Sequence, residues 1–293
     1  MKKHIAARIF VILQLLLFAS AAPFSSIAEV YIGKDKPEDW DSRDLLTVVV
    51  AETNYNDAIF IRQGEHKMMI DGGVNKFRKR IVKYMQNNGF TEVDIYFNTH
   101  PHDDHLEAVC TMIDRQEIIP KQFLSPFPQE YRNSLHRKTV RRLKEKDIPY
   151  VQVKNEDEFT LGDKTHFTVF QWPEGNDPNE LSGILLLRFG DATMLLTGDL
   201  SGDGQKWLAK TYGDKIHVDI LKEPHHGLVV MVPDFLHTVN PDFVFITSRT
   251  VATKRANQQL DNAKIPYTHH SKGTIIMETD GTDWYVTQTA GLI

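Results

Sequence analysis

Apolar residues recur along the chain in short runs that alternate with stretches of helical spacing. LLTVVVAE (45–52), DAIFIRQ (57–63) and HKMMID (66–71) read as strands, and Gly72-Gly73 ends the third where the backbone must turn tightly. FRKRIVKYMQNNG (77–89) has Ile81, Val82 and Met85 at helical spacing and stops at a glycine. In VDIYFNTH, Val93, Ile95 and Phe97 alternate with Asp94, Tyr96 and Asn98, which predicts a strand ending at His100. From His105 onward, Leu106, Val109, Cys110 and Ile113 share one helical face. A Lys/Arg-rich helix, SLHRKTVRRLKEK, follows, and its charge reads as a solvated face. VQVKNEDEF, THFTVFQW, GILLLRFG and ATMLLTGD supply four more strands, and QKWLAKTYG a helix. VDILKEPHH and DFVFITS, the polar helix TKRANQQLDNA, and YTHH, TIIMET and DWYVTQ complete the chain. Strands and helices interleave without a break in composition, so residues 29–293 are expected to form a single α/β domain.

Three apolar strands are each followed by residues that can bind a metal. VDIYFNT leads into His100, ATMLLTG into Asp199, and VDILKEP into His225 and His226. The first is the densest: positions 100–105 hold three histidines and two aspartates. Such side chains are poor core material unless something pairs with them. Loops at strand ends gather along one edge of a sheet, where ligands bind. A tight turn in H-x-H-x-D-H would let His100 and His102 reach one ion while Asp104 and His105 reach another. A carboxylate such as Asp199 can bridge two ions. Imidazole with carboxylate suits zinc, manganese or iron better than calcium. Two such ions can share a hydroxide and lower its pKa towards neutrality, so the cluster reads as half of a binuclear hydrolytic site.

Composition narrows the setting. With 41% hydrophobic and 25% charged residues, the 293-residue chain can bury a sizeable core. Its net charge of −5 shows no global basic field for nucleic acid or an anionic membrane. Lys2, Lys3 and Arg8 precede an apolar run from Ile9 to Ala22 and small residues up to Ala28, the order of a secretory signal peptide. Residues 1–28 are therefore expected to be a signal peptide, with a periplasmic or secreted protein and no stable membrane insertion after cleavage. Cys110 is the only cysteine and reads as a small buried helix residue.

THPHDDH, residues 99–105, resembles the H-x-H-x-D-H signature of the metallo-β-lactamase-fold superfamily. The finer resemblance is to the metallo-β-lactamase-like domain at the C-terminal end of bacterial DNA-uptake (competence) channel proteins and its stand-alone relatives. It is carried by NDAIFIRQ with MMIDGG (56–73), LSGILLLRFGDATMLLTGDL (181–200), DILKEPHHG (219–227), NPDFVFIT (240–247) and GTIIMETDG (273–281). The resemblance implies an αββα sandwich with two divalent transition-metal ions, zinc or manganese, at one edge. It implies His100, His102, Asp104 and His105 as ligands, Asp199 as the bridge, and His225 or His226 as the last ligand, His225 being preferred because it comes directly off the strand and Pro224. His226 is left for a catalytic acid or supporting role, Asp104 shares in catalysis, and Asp71 would orient a ligand histidine.

Three departures bear on the chemistry. The wider superfamily has a histidine before the Asp199 strand, where this chain reads WPEGNDPNELS, and His166 lies within a strand. The early GQGD turn is TNYND, keeping only Asp57. A His-Pro after the FVFITS strand is replaced by RTVATKRANQQL, whose Arg249 and Lys254 could hold an anionic group. His269 and His270 fall near the expected edge. The expectation is an exported hydrolase acting on a small or envelope-derived phosphoester or phosphodiester, with nucleic acid not favoured. The alternatives are an acyl hydrolase for a lactone or β-lactam, or a noncatalytic metal- or ligand-binding protein.

Overall fold

The structure, a computed structural model, describes residues 28–291. Apart from Ala28, which is buried between the sheets, the expected signal peptide lies outside the described residues. The first half runs β1 (Val30–Ile32), β2 (Leu46–Val50), β3 (Ile59–Gln63), β4 (His66–Ile70), α1 (Asn75–Asn88), β5 (Glu92–Phe97), α2 (Asp103–Asp114), β6 (Ile119–Ser125), α3 (Ser134–Glu145) and β7 (Tyr150–Gln152). The second runs β8 (Glu158–Leu161), β9 (Thr165–Phe170), β10 (Ile184–Phe189), β11 (Ala192–Leu196), α4 (Gly202–Tyr212), β12 (Ile220–Lys222), α5 (Pro233–Val239), β13 (Phe243–Ile246), α6 (Lys254–Ala263), β14 (Tyr267–His269), β15 (Thr274–Thr279) and β16 (Trp284–Thr289).

Two mixed sheets pack face to face, with three helices on each outer side. One has nine strands in the order β1-β16-β15-β2-β3-β4-β5-β6-β7, and the other seven, β14-β13-β12-β11-β10-β9-β8. The apolar runs explain the layering. In β4, Met68 and Ile70 join the core between the sheets while Met69 packs under the helices. In β11, Met194 and Leu196 point inward while Leu195 packs with Leu208 of α4 and Phe235 of α5. Central strands covered on both faces need apolar residues on both, hence runs rather than alternation. The expected αββα sandwich is therefore the fold observed. Among the described residues, no helix is long and apolar enough to cross a membrane.

The differences from the expected elements are local. VQVKNEDEF is two strands, β7 and β8, separated by a turn in which Asp157 accepts a hydrogen bond from Lys154 N (2.7 Å). The short β1, β6 with Pro120 near its start, and α5 between Val232 and Asn240 carry weak sequence signals.

β4, β5 and β6 are mutually parallel, as are β11, β12, β13 and β14. Asp71, His100, Asp199, His225 and Thr247 each follow the C-terminal end of one of these strands within a few residues. Gly72 is required by close approach: a Cβ there would lie 2.1 Å from Val109 Cγ2 of α2. Gly72 N donates to His105 O (2.8 Å) and Ala108 N to Gly73 O (2.9 Å), locking the β4 turn to the first turns of α2.

Candidate metal centre

Asp71 organises the first half of the site. Its Oδ1 accepts from Asn98 Nδ2 and Thr99 N (2.9 Å each), and its Oδ2 from Thr99 Oγ1 (2.6 Å) and His105 Nδ1 (2.7 Å). All four residues are buried. With its Nδ1 proton held by that carboxylate, His105 presents Nε2 to the centre. The histidine is at position 105 because His102 opens α2, placing Asp104 and His105 in its first turn.

The second half comes from the opposite sheet. His226 Nδ1 lies 2.9 Å from Thr247 Oγ1 and 3.3 Å from Asp57 Oδ1, so the ring donates from Nδ1 and turns Nε2 inward. That Nε2 is 3.2 Å from His105 Nε2, 3.3 Å from Asp104 Oδ2 and 3.4 Å from Asp199 Oδ2. Asp199 Oδ1 is 3.3 Å from His105 Nε2, and its Oδ2 faces His100 Nε2 at 3.7 Å and His225 Nε2 at 3.8 Å. His100 Nε2 and His102 Nδ1 are 3.1 Å apart. The structure thus gathers five of the expected ligands and supporting residues around Asp199, in one group of Asp104, His105 and His226 and another of His100 and His102.

The two adjacent histidines are placed differently. His226 is buried with its Nε2 among the donors, whereas His225 is partly exposed and touches only the edge of the group. The cause is backbone. Both take left-handed conformations (φ 48° and 55°), so the chain curls after Pro224 instead of extending from the strand. Consecutive left-handed residues other than glycine are costly and mark a functional constraint.

Sequence reasoning left two participants out. The ligand atoms of Asp57, His105, Asp199 and His226 all lie within 4.8 Å of one another. Asp57 Oδ2 is also 2.9 Å from Lys222 Nζ, which donates to Gly198 O (2.9 Å). Lys222 is a lone cation closing the apolar run of β12, which was its signal. His269 and His270 are buried but outside the converging group: His269 Nε2 meets Thr253 Oγ1 (2.9 Å) and His270 Nδ1 meets Ala51 O (3.0 Å). His166 is exposed on β9, where it pairs with Arg188 of β10. Arg249 and Lys254 are exposed on the segment after β13.

The electrostatics suit a cation. Burial would push the His105 imidazolium down, but Asp199 and Asp71 hold it up at about 10; His226 is likewise held well above the usual range by Asp199 and Asp57 against burial. Asp104 stays at about 2 despite burial because His226 and His105 face it. Asp199, fully buried and with an Oδ1 that has no hydrogen-bond partner, is held well below the carboxylate range by the same histidines. Both Nδ1 atoms are committed outward, so the two Nε2 atoms face each other across 3.2 Å beside two carboxylates, and without an ion the set is held together by protons. A divalent ion satisfies such a set better than protons do. The residues present therefore fit the metal centre of this fold; the identity of the metal is not fixed by them.

Glu223 sits beneath the centre, fully buried with both carboxyl oxygens unpartnered. Burial pushes it up to about 8, with Lys222 opposing. Because the folded value is raised, the unfolded chain ionises first, and stability declines from about pH 4.5 to about pH 8. Glu223→Gln, which cannot ionise, is expected to melt like the parent at pH 4.5 and to be about 3 kcal/mol more stable at pH 7, in metal-free protein. A parent and variant that stay parallel across that range in urea titrations would show that Glu223 is paired.

The sequence matches the metallo-β-lactamase superfamily over residues 52–269. ComE operon protein 3 of Bacillus subtilis is 27% identical over 156 residues, covering 51% of this chain but only 19% of its own length, so the chain spans about a fifth of that relative. In fold, it is similar to the metallo-β-lactamase fold protein YhfI from Bacillus subtilis (TM-score 0.53, 11% identity, 80% of this chain and 100% of that one). It is also similar to CmlA from Streptomyces venezuelae, described as a diiron β-hydroxylase (TM-score 0.50, 13% identity, 87% of this chain and 55% of that one). These identities speak for fold alone, and the difference in described chemistry shows why fold does not name a substrate. The family match, the sandwich and the donor set at its edge agree: the chain belongs to the metallo-β-lactamase superfamily.

Proposed function

We infer that the protein is an exported hydrolase that uses two divalent ions, zinc or manganese, to cleave a phosphoester or phosphodiester. The observation that carries this reading is the placement of Asp199 between the two histidine groups, with one carboxylate oxygen turned to His105 and the other to His100 and His226. His100 and His102 would hold one ion, Asp104, His105 and His226 the other, with Asp199 between them. This assigns the last ligand to His226 and leaves the more exposed His225 facing substrate. Ions bound there would supply a nucleophile at neutral pH and neutralise the negative charge on the phosphoryl oxygens. Asp71 and Asp57 keep His105 and His226 in the tautomer that turns Nε2 inward. In the reaction, water oxygen bonds to phosphorus, the ester P–O bond breaks, and the alcohol leaves with a proton. His225, half-buried and 3.8 Å from Asp199, would relay to the leaving alcohol one of the two protons that the attacking water releases, the other passing to solvent.

The phosphoester choice is supported by the resemblance of the motifs and by the exposed cations Arg249 and Lys254 near the same edge. The substrate is taken to be a small or envelope-derived molecule. Protein reconstituted with zinc or manganese is expected to hydrolyse bis(p-nitrophenyl) phosphate, with His100→Ala reducing the rate at least about a hundredfold. Two ions bound per chain without turnover would sink the phosphodiester reading and favour acyl hydrolysis or ligand binding.

A further inference from the structure

Eight large hydrophobic side chains are exposed among the described residues: Ile32, Tyr55, Ile119, Val151, Leu228, Val229, Val230 and Val251. The first, third and fourth are scattered on β1, β6 and β7. The other five fall on three segments that meet at the His226 end of the centre. Leu228–Val230 begin two residues after His226. Val251 lies in the turn after β13, which reaches the same place because a Cβ on Gly227 would lie 3.1 Å from Thr253 Cγ2. Tyr55 precedes Asn56, whose N donates to Thr247 O (3.4 Å), the residue that holds His226.

The Leu228–Val230 run is not a loose tip. Leu228 N donates to His225 O (2.9 Å), Met231 is clamped through both its N and its O by the Gln259 amide (3.1 and 2.8 Å), and Val232 N donates to Gln205 Oε1 (2.8 Å). Met231 is buried in the helix-side core, so the segment is anchored at both ends while Leu228 (52%) and Val251 (70%) stay in water. Three consecutive exposed apolar residues on a pinned backbone are disfavoured unless something covers them. Arg249 and Lys254, exposed and in no ion pair among the described residues, border the same turn. Apolar surface beside cations beside the metal centre matches one ligand chemistry, that of an amphiphile whose anionic group meets the metals and whose chain lies outward.

The geometry points to a substrate that carries an alkyl or acyl chain next to its phosphoester, with Leu228, Val229 and Val230 setting the preference for that chain. This rests on the hydrolytic reading above, which it deepens by naming the substrate class. The test compares methylphosphonate with octylphosphonate, below its micelle-forming concentration, by calorimetry on the metal-reconstituted protein. A parallel assay follows turnover of methyl and octyl p-nitrophenyl phosphate. The octyl ligand is expected to bind at least about tenfold more tightly, and the octyl ester to be turned over with a correspondingly higher kcat/KM. In Leu228→Ser/Val229→Ser/Val230→Ser, and to a lesser degree in Val229→Ser alone, both ratios should fall towards one.

Equal binding of the two phosphonates by the parent protein overturns the inference, as does an undiminished ratio in a folded triple variant. Sedimentation with phosphatidylglycerol vesicles but no preference for monomeric octylphosphonate also overturns it, and assigns the patch to a membrane surface. Preferential octylphosphonate binding with neither ester hydrolysed supports the chain-binding role while refuting the phosphoester reaction.

Discussion

Replacing His226 with alanine is expected to abolish metal-dependent hydrolysis, by about a thousandfold or more, and to remove one of the two bound ions. His225→Ala should retain both ions and lose rate at least about tenfold less severely. The contrast follows from position: His226 Nε2 is within 3.4 Å of His105, Asp104 and Asp199, whereas His225 is 3.8 Å from Asp199 alone. A lost ligand removes charge stabilisation at the reacting atoms, while a lost proton donor costs typically a factor of about 100 to 10,000 that depends on the leaving group. Elemental analysis beside p-nitrophenolate release checks both. Two ions retained in His226→Ala, with one lost in His225→Ala, would restore the assignment expected from sequence.

The second large effect concerns stability. Lys222→Met keeps most of the volume of a fully buried side chain but removes the ammonium 2.9 Å from Asp57, also fully buried, leaving His226 as its nearest remaining cation in metal-free protein. Burial would raise the Asp57 carboxyl, yet the Lys222 ammonium and His226 hold it far below the usual range. Removing one partner of such a pair costs about 3–5 kcal/mol, and replacing both costs much less. Lys222→Met is therefore expected to lower the urea midpoint strongly, with Asp57→Asn/Lys222→Met recovering much of the loss. Additive single and double variants would show that the two side chains are uncoupled.

The αββα sandwich came from the resemblance carried by THPHDDH and the later motifs. An α/β domain was legible directly, because its strands are apolar runs whose ends could be read from the first polar residue after each. The convergence on Asp199 followed from those ends. The choice between His225 and His226 was not legible, because it depends on two left-handed residues that no periodicity announces and that Pro224 hides by suggesting extended chain. The Asp57–Lys222 pair was equally hidden. Its partners lie far apart in sequence, and a single acidic residue in TNYND has a local explanation as a turn. β6 was missed since Pro120 interrupts its pattern, although Phe123 and Leu124 are buried on opposite faces.

The donors are split between the two sheets. Asp57, Asp71 and His100–His105 belong to the nine-stranded one, while Asp199, Lys222, His226 and Thr247 belong to the other. Neither sheet alone contains a complete set, so the ability to take up ions is a property of the finished sandwich. A chain still unfolded would stay metal-blind until its layers dock, and ion uptake would then act as a seal on the closed architecture.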